Sequence, residues 1–240
     1  MFWIDKYYFF VIIKNINPGK SGKEKTMRKF FDNIIEALEL QARVLSDTEP
    51  AGSIDAALIF GETSYNEASV FSTAVLLKNR AIKFVYASGG KLLTGEEYIS
   101  AFDQQLIWHG IPREQILRAD ISSKIASTRT EAVAFVELAK HESWSVLTVT
   151  AAPFHQLRAF ANTVTLAVQQ MPHLKVFSVP GKSLPWTETV VHSQNIERGR
   201  RCDLIKPESK RLEKYRRKTS VKGIPDLLSA REILDYLDRR

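Results

Sequence analysis

Short apolar runs alternate with amphipathic stretches through the middle of the chain. Almost continuous apolar runs are typical of parallel strands that are covered on both faces. They lie at Ala56–Phe60, Ile82–Ala87, Ser145–Thr150 and Leu174–Val179, with a weaker candidate near Ile116–Leu117. Helical spacing lies between them, at Tyr65–Asn79, Gly95–Trp108, Arg129–His141 and His155–Met171. This alternation predicts βαβ units with right-handed crossovers, and therefore an α/β fold with a mostly parallel sheet.

The two flanks of this pattern are organised differently. An apolar run at Tyr7–Ile13 predicts a strand, and four-residue apolar spacing predicts a helix that ends near Leu45. The stretch Gly181–Arg201 has no clear period and predicts a long loop. A basic helix and a short amphipathic helix follow it. We therefore divide the chain into an extension (1–50), a central domain (53–195) and a helical extension (196–240) that packs on the same domain.

Helix starts are predicted by a recurring spacing of Ser or Thr three residues before Glu. This capping-box pattern satisfies two backbone N–H groups at the first turn of a helix. Such a role would explain Glu67 and Glu131 without any function. The pairs are Ser21/Glu24, Ser64/Glu67, Thr94/Glu97, Thr128/Glu131 and Ser229/Glu232.

Composition narrows the class of protein. The 240 residues are 44% hydrophobic and 25% charged, which is typical of globular proteins and excludes wholesale disorder. No apolar run reaches the roughly 18 residues of a membrane span, and Tyr7–Ile13 lacks a basic leader and a cleavage site. The single cysteine, Cys202, excludes an internal disulfide. We therefore expect a cytoplasmic protein.

Positive charge is concentrated near the end of the chain. The segment 197–218 holds ten basic and four acidic residues, so that it carries +6 of the net charge of +7. Such a segment can bind nucleic acid or an acidic protein partner through phosphate or carboxylate groups. A solvated helix face has the same composition, and only Tyr215 offers an aromatic ring among the basic residues. Both interpretations remain open.

Polar residues and glycines follow the predicted strands, where parallel α/β sheets bind their ligands. The imidazole of His155 and the guanidinium of Arg158 lie three residues apart at a helix start, which suits an anionic group. His155 could also act as general acid or base, with Glu62 or Glu131 orienting water or substrate. The remaining candidate ligand contacts are Gly61, Asn66, Ser88, Gly89, Gly90, Thr128, Thr130 and Thr150.

Several familiar motifs are absent from the sequence. Gly19-Lys20-Ser21 and Gly181-Lys182-Ser183 resemble the end of a P-loop, but Lys14 and Val176 stand where its first glycine belongs. No Gly-x-Gly-x-x-Gly follows the first strand of the central domain, where dinucleotide-binding proteins carry it. The five histidines lack the spacing of metal ligands, so that no metal site is predicted.

The order of these motifs resembles the YdcF-like family of bacterial α/β proteins, which includes SanA- and ElyC-like members. The resemblance covers roughly residues 55–179, with further similarity at 208–215 and 229–237. It is carried by Gly61, Asn66-Glu67-Ala68, Ser88-Gly89-Gly90, Ser127 with Thr130-Glu131, and Thr150 with His155 and Arg158-Ala159.

The resemblance implies a Rossmann-like three-layer sandwich with an N-terminal helix and a C-terminal helical extension. It implies no particular reaction. An anionic ligand of nucleotide type, S-adenosylmethionine included, would bind at the carboxyl ends of the strands. Arg158 and His155 would hold its acidic group, and Thr130 and Glu131 would contact ribose hydroxyls. Transferase or hydrolase activity would fit such a site, and non-catalytic binding through residues 197–218 is the alternative.

Overall fold

The computed structural model describes residues 30–48, 50–61, 64–89, 102–124, 126–191, 198–217 and 225–240, with the backbone alone for 64–66. The predicted strand Tyr7–Ile13 and the capping pairs at Ser21 and Thr94 lie outside these residues. So does the first half of the helix predicted at Gly95–Trp108.

A five-stranded sheet forms the centre of the fold, and all of its neighbouring strands are parallel. The strand order is β3-β2-β1-β4-β5. The apolar runs of the sequence are almost wholly buried in these strands, as expected for a sheet covered on both faces. The strands are β1 (Ile54–Ile59), β2 (Ala81–Ser88), β3 (Ile116–Asp120), β4 (Val146–Thr150) and β5 (Lys175–Ser178).

Helices cover the two faces of this sheet and complete three layers. One face packs against α2 and α3 through a core that contains Phe71, Phe84 and Phe102. The other face packs against α1, α4 and α5 through a core that contains Phe135 and Phe160. The predicted α/β three-layer fold is therefore confirmed. The helices are α1 (Ile34–Leu45), α2 (Ser64–Leu77), α3 (Phe102–Trp108), α4 (Thr128–His141) and α5 (Gln156–Gln170).

The segment after β5 is more regular than its sequence predicts. Within Gly181–Arg201, which we expected to be a loop, β6 (Thr189–Val191) and β7 (Arg198–Arg200) form an antiparallel pair. The strand β7 has no apolar side chain, so that no hydrophobic pattern in the sequence predicts it. Its position is fixed by the backbone and by buried Arg201, whose guanidinium reaches the carboxylate of Glu188 at 2.9 Å.

Two helices follow as predicted, α6 (Ile205–Arg217) and α7 (Ala230–Arg239). The capping box of Ser229 and Glu232 is confirmed at the start of α7. Leu212 of α6 and Ile233 of α7 belong to the same buried core as α5. The helical extension therefore shares a core with the sheet.

Candidate functional site

The strand order places a topological switch point at the carboxyl ends of β1 and β4. These strands are neighbours, yet β2 and β3 continue the sheet on one side and β5 continues it on the other. The helices that follow them, α2 and α5, belong to the cores on opposite faces of the sheet. In open α/β sheets, ligands bind at such a topological switch point.

The start of α4 differs from its predicted capping pattern. The N-cap is Ser127, and the capping box pairs Ser127 with Thr130, so that the predicted pair of Thr128 and Glu131 is wrong. The hydroxyl of Thr130 accepts from the Ser127 amide at 2.8 Å and donates to the Ser127 carbonyl at 2.9 Å. A threonine hydroxyl can thus fill the place of the usual glutamate, and Thr130 stabilises the helix start.

The shift by one residue releases Glu131 from capping. Its Oε1 accepts from the backbone N–H of Gly61 at 3.2 Å, although 70 residues separate them in sequence. Both residues are buried. The carboxylate therefore ties the start of α4 to the end of β1, at the switch point.

A second polar group joins the starts of α4 and α5. The hydroxyl of Thr128 lies 2.9 Å from Nε2 of His155 and accepts a hydrogen bond from Nη1 of Arg158. The other side of the guanidinium contacts Glu208 of α6, with Nε and Nη2 at 2.5 and 3.1 Å from its two carboxylate oxygens. We call Thr128, His155, Arg158 and Glu208 the carboxyl-edge cluster. All four residues are at most 4% exposed.

The contacts of Arg158 bear on its expected role, which is to hold the acidic group of a ligand. A carboxylate of the protein itself occupies two of its nitrogens in the geometry that suits a guanidinium best. The role of Arg158 in ligand binding stays a prediction. The resemblance extends to residues 208–215, but it implied no role for Glu208, which lies 50 residues from Arg158 in the basic segment.

Two buried threonine hydroxyls on β4, those of Thr148 and Thr150, have no hydrogen-bond partner among the described residues. In the register of the sheet they pair with Ala57 and Ile59, which belong to the core on the α2 face. Thr148 lies within the strand, whereas Thr150 is its last residue and reaches the carboxyl edge. An unpaired buried hydroxyl is costly, so that the position of Thr150 at the carboxyl edge calls for an explanation.

The end of β2 supplies the half-buried part of this edge. Ser88 and Gly89 are both partly exposed. Gly89 has a positive φ of 95°, and a Cβ there would lie 3.4 Å from the Ile121 carbonyl oxygen. Of the other predicted site residues, Glu62 and Gly90 lie outside the described residues, as does the side chain of Asn66.

The rejected P-loop candidate at Gly181 has a structural role. Its N–H donates to the Ala151 carbonyl at 2.8 Å, and the Lys182 N–H donates to the Ser69 carbonyl at 3.0 Å. The Ser69 hydroxyl in turn donates to the Lys182 carbonyl at 2.6 Å. The segment after β5 is thus fastened across the ends of β4 and α2, beside Thr150. The sequence contains no signal for this crossing.

Much of the positive charge in the basic segment is paired within the protein. Arg200 contacts Asp203 at 2.9 Å, Arg201 contacts Glu188, and Arg211 contacts Glu208 at 2.7 Å. Arg216 donates to the Leu227 carbonyl at 2.7 Å. These arginines stabilise the extension, which reduces the charge that the segment can offer to a phosphate backbone.

Burial shifts the pKa values of two ionisable groups near the helix starts. Desolvation raises the pKa of Glu67 in the first turn of α2. It lowers the pKa of Arg129 in the first turn of α4, whose guanidinium lies 5.4 Å from the ring centre of Tyr215. Neither group touches the carboxyl-edge cluster through a described hydrogen bond.

Two kinds of site are not found in the part of the chain that the structure describes. No three His, Cys, Asp or Glu side chains there are grouped as metal ligands would be. No helix in the same residues combines the length and the apolar character that a membrane span requires.

Comparison of the chain with protein-family models, curated proteins and solved structures finds no match. The resemblance to YdcF-like proteins therefore stays a prediction from motifs.

Proposed function

We propose that this protein binds a small anionic ligand of nucleotide type at the carboxyl ends of β1, β2 and β4. The observation that carries the proposal is the gathering of buried polar groups at the switch point. They come from the end of β1, the starts of α4 and α5, and the end of β4, which are far apart in the sequence.

The chemistry of these groups supports a ligand with hydroxyl and acidic parts. Glu131 and Thr150 lie near the switch point on elements of opposite faces of the sheet, and they would offer a carboxylate and a hydroxyl to sugar hydroxyls. The starts of α4 and α5 both lie at this edge and favour negative charge. The resemblance adds S-adenosylmethionine to the nucleotides worth testing.

Replacement of the two unpaired threonines tests the proposal. Thr150→Val removes the hydroxyl at the edge, and Thr148→Val is the matched control two residues deeper in the same strand. Because each hydroxyl lacks a partner, both variants should be at least as stable as the wild type. Calorimetry with a panel of nucleotides and S-adenosylmethionine should show binding that weakens by up to about tenfold in Thr150→Val alone.

Two results would contradict the proposal. One is a panel in which no compound binds the wild-type protein. The other is equal binding by the two valine variants, which would place the ligand away from the end of β4.

A further inference from the structure

In the carboxyl-edge cluster, the chemistry of the side chains determines which group donates each hydrogen bond and which group accepts it. A guanidinium only donates hydrogen bonds, and an ionised carboxylate only accepts them. Arg158 therefore donates both to Glu208 and to the hydroxyl of Thr128. The direction of these contacts is fixed before any proton on His155 is considered.

The contact between Arg158 and Thr128 determines which atom donates in the contact between Thr128 and the imidazole of His155. The hydroxyl of Thr128 has one proton to donate and already accepts from Arg158. Among the described residues, its only other partner is Nε2 of His155, at 2.9 Å. If Nε2 carried a proton, two donors would point at the hydroxyl, and the hydroxyl proton would be left buried without an acceptor. The hydroxyl must donate, and Nε2 must accept.

We infer that Glu208 is a positioning residue for the switch-point site, acting through Arg158 and Thr128 to hold neutral His155 with its proton on Nδ1. The helical extension is then part of the site, because α6 supplies the carboxylate that anchors this chain of hydrogen bonds. If His155 acts as a general acid, it donates the Nδ1 proton. This catalytic role rests on the proposed function, whereas the tautomer follows from the hydrogen bonds alone.

Burial excludes water as an alternative hydrogen-bond partner in this chain. Thr128 and His155 are 3% and 1% exposed, so that water does not compete for the hydroxyl or for Nε2. The ring of His155 also packs edge-on to Phe60, with 6.2 Å between ring centres. The imidazole is therefore held on one side by an apolar ring and at Nε2 by a hydroxyl of fixed direction.

The experiment is long-range 1H–15N correlation NMR on the full-length protein without ligand, with His155→Gln used to assign the resonance. The wild type should show a protonated Nδ1 and an unprotonated Nε2. Thr128→Val should lower the ratio of the Nδ1–H to the Nε2–H tautomer by about tenfold. Thr128→Ser, which keeps the hydroxyl, should restore it.

Glu208→Gln tests the far end of the chain, because it keeps the shape of the side chain and removes its charge. It should raise the share of the Nε2–H tautomer several-fold. Glu188→Gln is the matched control, since Glu188 pairs with buried Arg201 in the same extension without contacting the cluster. That control should leave the His155 spectrum unchanged.

The inference is overturned if Nε2 carries the proton in the wild type. It is also overturned if Thr128→Val leaves the tautomer as it is, or if Glu208→Gln and Glu188→Gln have the same effect. All spectra are recorded without nucleotide. Absent nucleotide binding with the expected tautomer would therefore count against the proposed function alone.

Discussion

Two buried arginine–carboxylate pairs join the C-terminal extension to the rest of the fold. They differ in the further groups to which they are hydrogen-bonded. Arg240 pairs with Asp47, which follows α1, and both side chains are at most 7% exposed. Arg240 also donates to the Val176 carbonyl at 2.5 Å, and Asp47 accepts from the Ser178 N–H at 2.8 Å. The pair of Arg158 and Glu208 ends on Thr128 and His155 instead.

The first pair has a complete structural explanation. Among the described strands, β5 has a neighbour on one side only, so that its outer backbone groups need partners. Tyr236 supplies two more, since its hydroxyl accepts from the Val176 N–H at 2.6 Å and donates to the Leu174 carbonyl at 3.1 Å. We call Asp47, Tyr236 and Arg240 the β5 clamp, which replaces a sixth strand.

The second pair satisfies no strand backbone in the described residues. Its guanidinium ends on the hydroxyl of Thr128, which contacts an imidazole at a helix start. The same chemistry therefore serves the edge of the sheet in one place and a polar side chain at the switch point in the other. Burying charge is costly, and only the β5 clamp has a structural explanation for that cost in the described residues.

The largest expected effect is that of Asp47→Ala in the β5 clamp. It leaves the Arg240 charge buried without its partner and should lower the free energy of unfolding by about 3–5 kcal/mol. Urea unfolding measures this loss. Asp203→Ala is the control, since its pair with Arg200 is half-exposed and should contribute less than about 1 kcal/mol. A changed His155 spectrum in Asp47→Ala would show that the two regions are not separate.

Gly181→Ala should have the next largest effect, because the backbone at Gly181 passes too close to Ser69 and Ala151 to leave space for a side chain. A Cβ at this position would lie 2.4 Å from the Ser69 hydroxyl and 2.9 Å from the Ala151 carbonyl oxygen. We expect a loss of about 1–3 kcal/mol in urea unfolding. Gly52→Ala, with nothing within 4 Å of the added Cβ, should change stability by less than about 0.5 kcal/mol. Similar losses in both variants would contradict this account.

Tyr236→Phe removes the hydroxyl of the β5 clamp and should cost about 1 kcal/mol. Burial raises the pKa of Tyr236 above its usual value of 10.0, so that folding favours the protonated phenol. Its stabilisation is complete below pH 10 and is lost as the pH rises through the folded-state pKa. Urea unfolding from pH 8 to 11 should show the difference between wild type and Tyr236→Phe shrinking above pH 10. A constant difference would contradict the shift.

The smallest expected effect is a coupling energy. In a double-mutant cycle, Thr128→Val and Glu208→Gln should couple by at least about 0.5 kcal/mol, because both side chains contact Arg158. Thr128→Val and Asp47→Asn lie in different regions and should be additive within about 0.5 kcal/mol. Equal coupling in the two cycles, measured by urea unfolding, would remove the distinction between the regions.

The sequence predicted the parts of the fold that depend on local pattern. The buried strands stand out because both of their faces are apolar, and the bounds of β1 and β4 lie within two residues of the prediction. The box at Ser229 was predicted because Glu232 is its ordinary partner, whereas Thr130 replaced the glutamate expected for α4. β7 was missed because it consists of two arginines and a glycine.

The candidate site was only half visible in the sequence. His155, Arg158 and Glu131 were identified because they follow strands, and strand ends meet at one edge of the sheet. The partners that define their roles come from distant segments: Glu208 lies on the basic helix and Gly61 at the end of β1. Such pairings depend on strand order and on the crossing of helices, neither of which follows from periodicity in one chain.

The most direct test of the central claim is a 15N amide NMR titration of the wild-type protein with the nucleotide that binds best in the calorimetric panel. If the ligand binds at the carboxyl edge, the largest chemical-shift changes should fall on Gly61, Gly89 and Ala151, at the ends of β1, β2 and β4. Changes confined to Lys206, Lys210 and Lys214 of α6 would contradict the claim and would place anion binding on the basic helix.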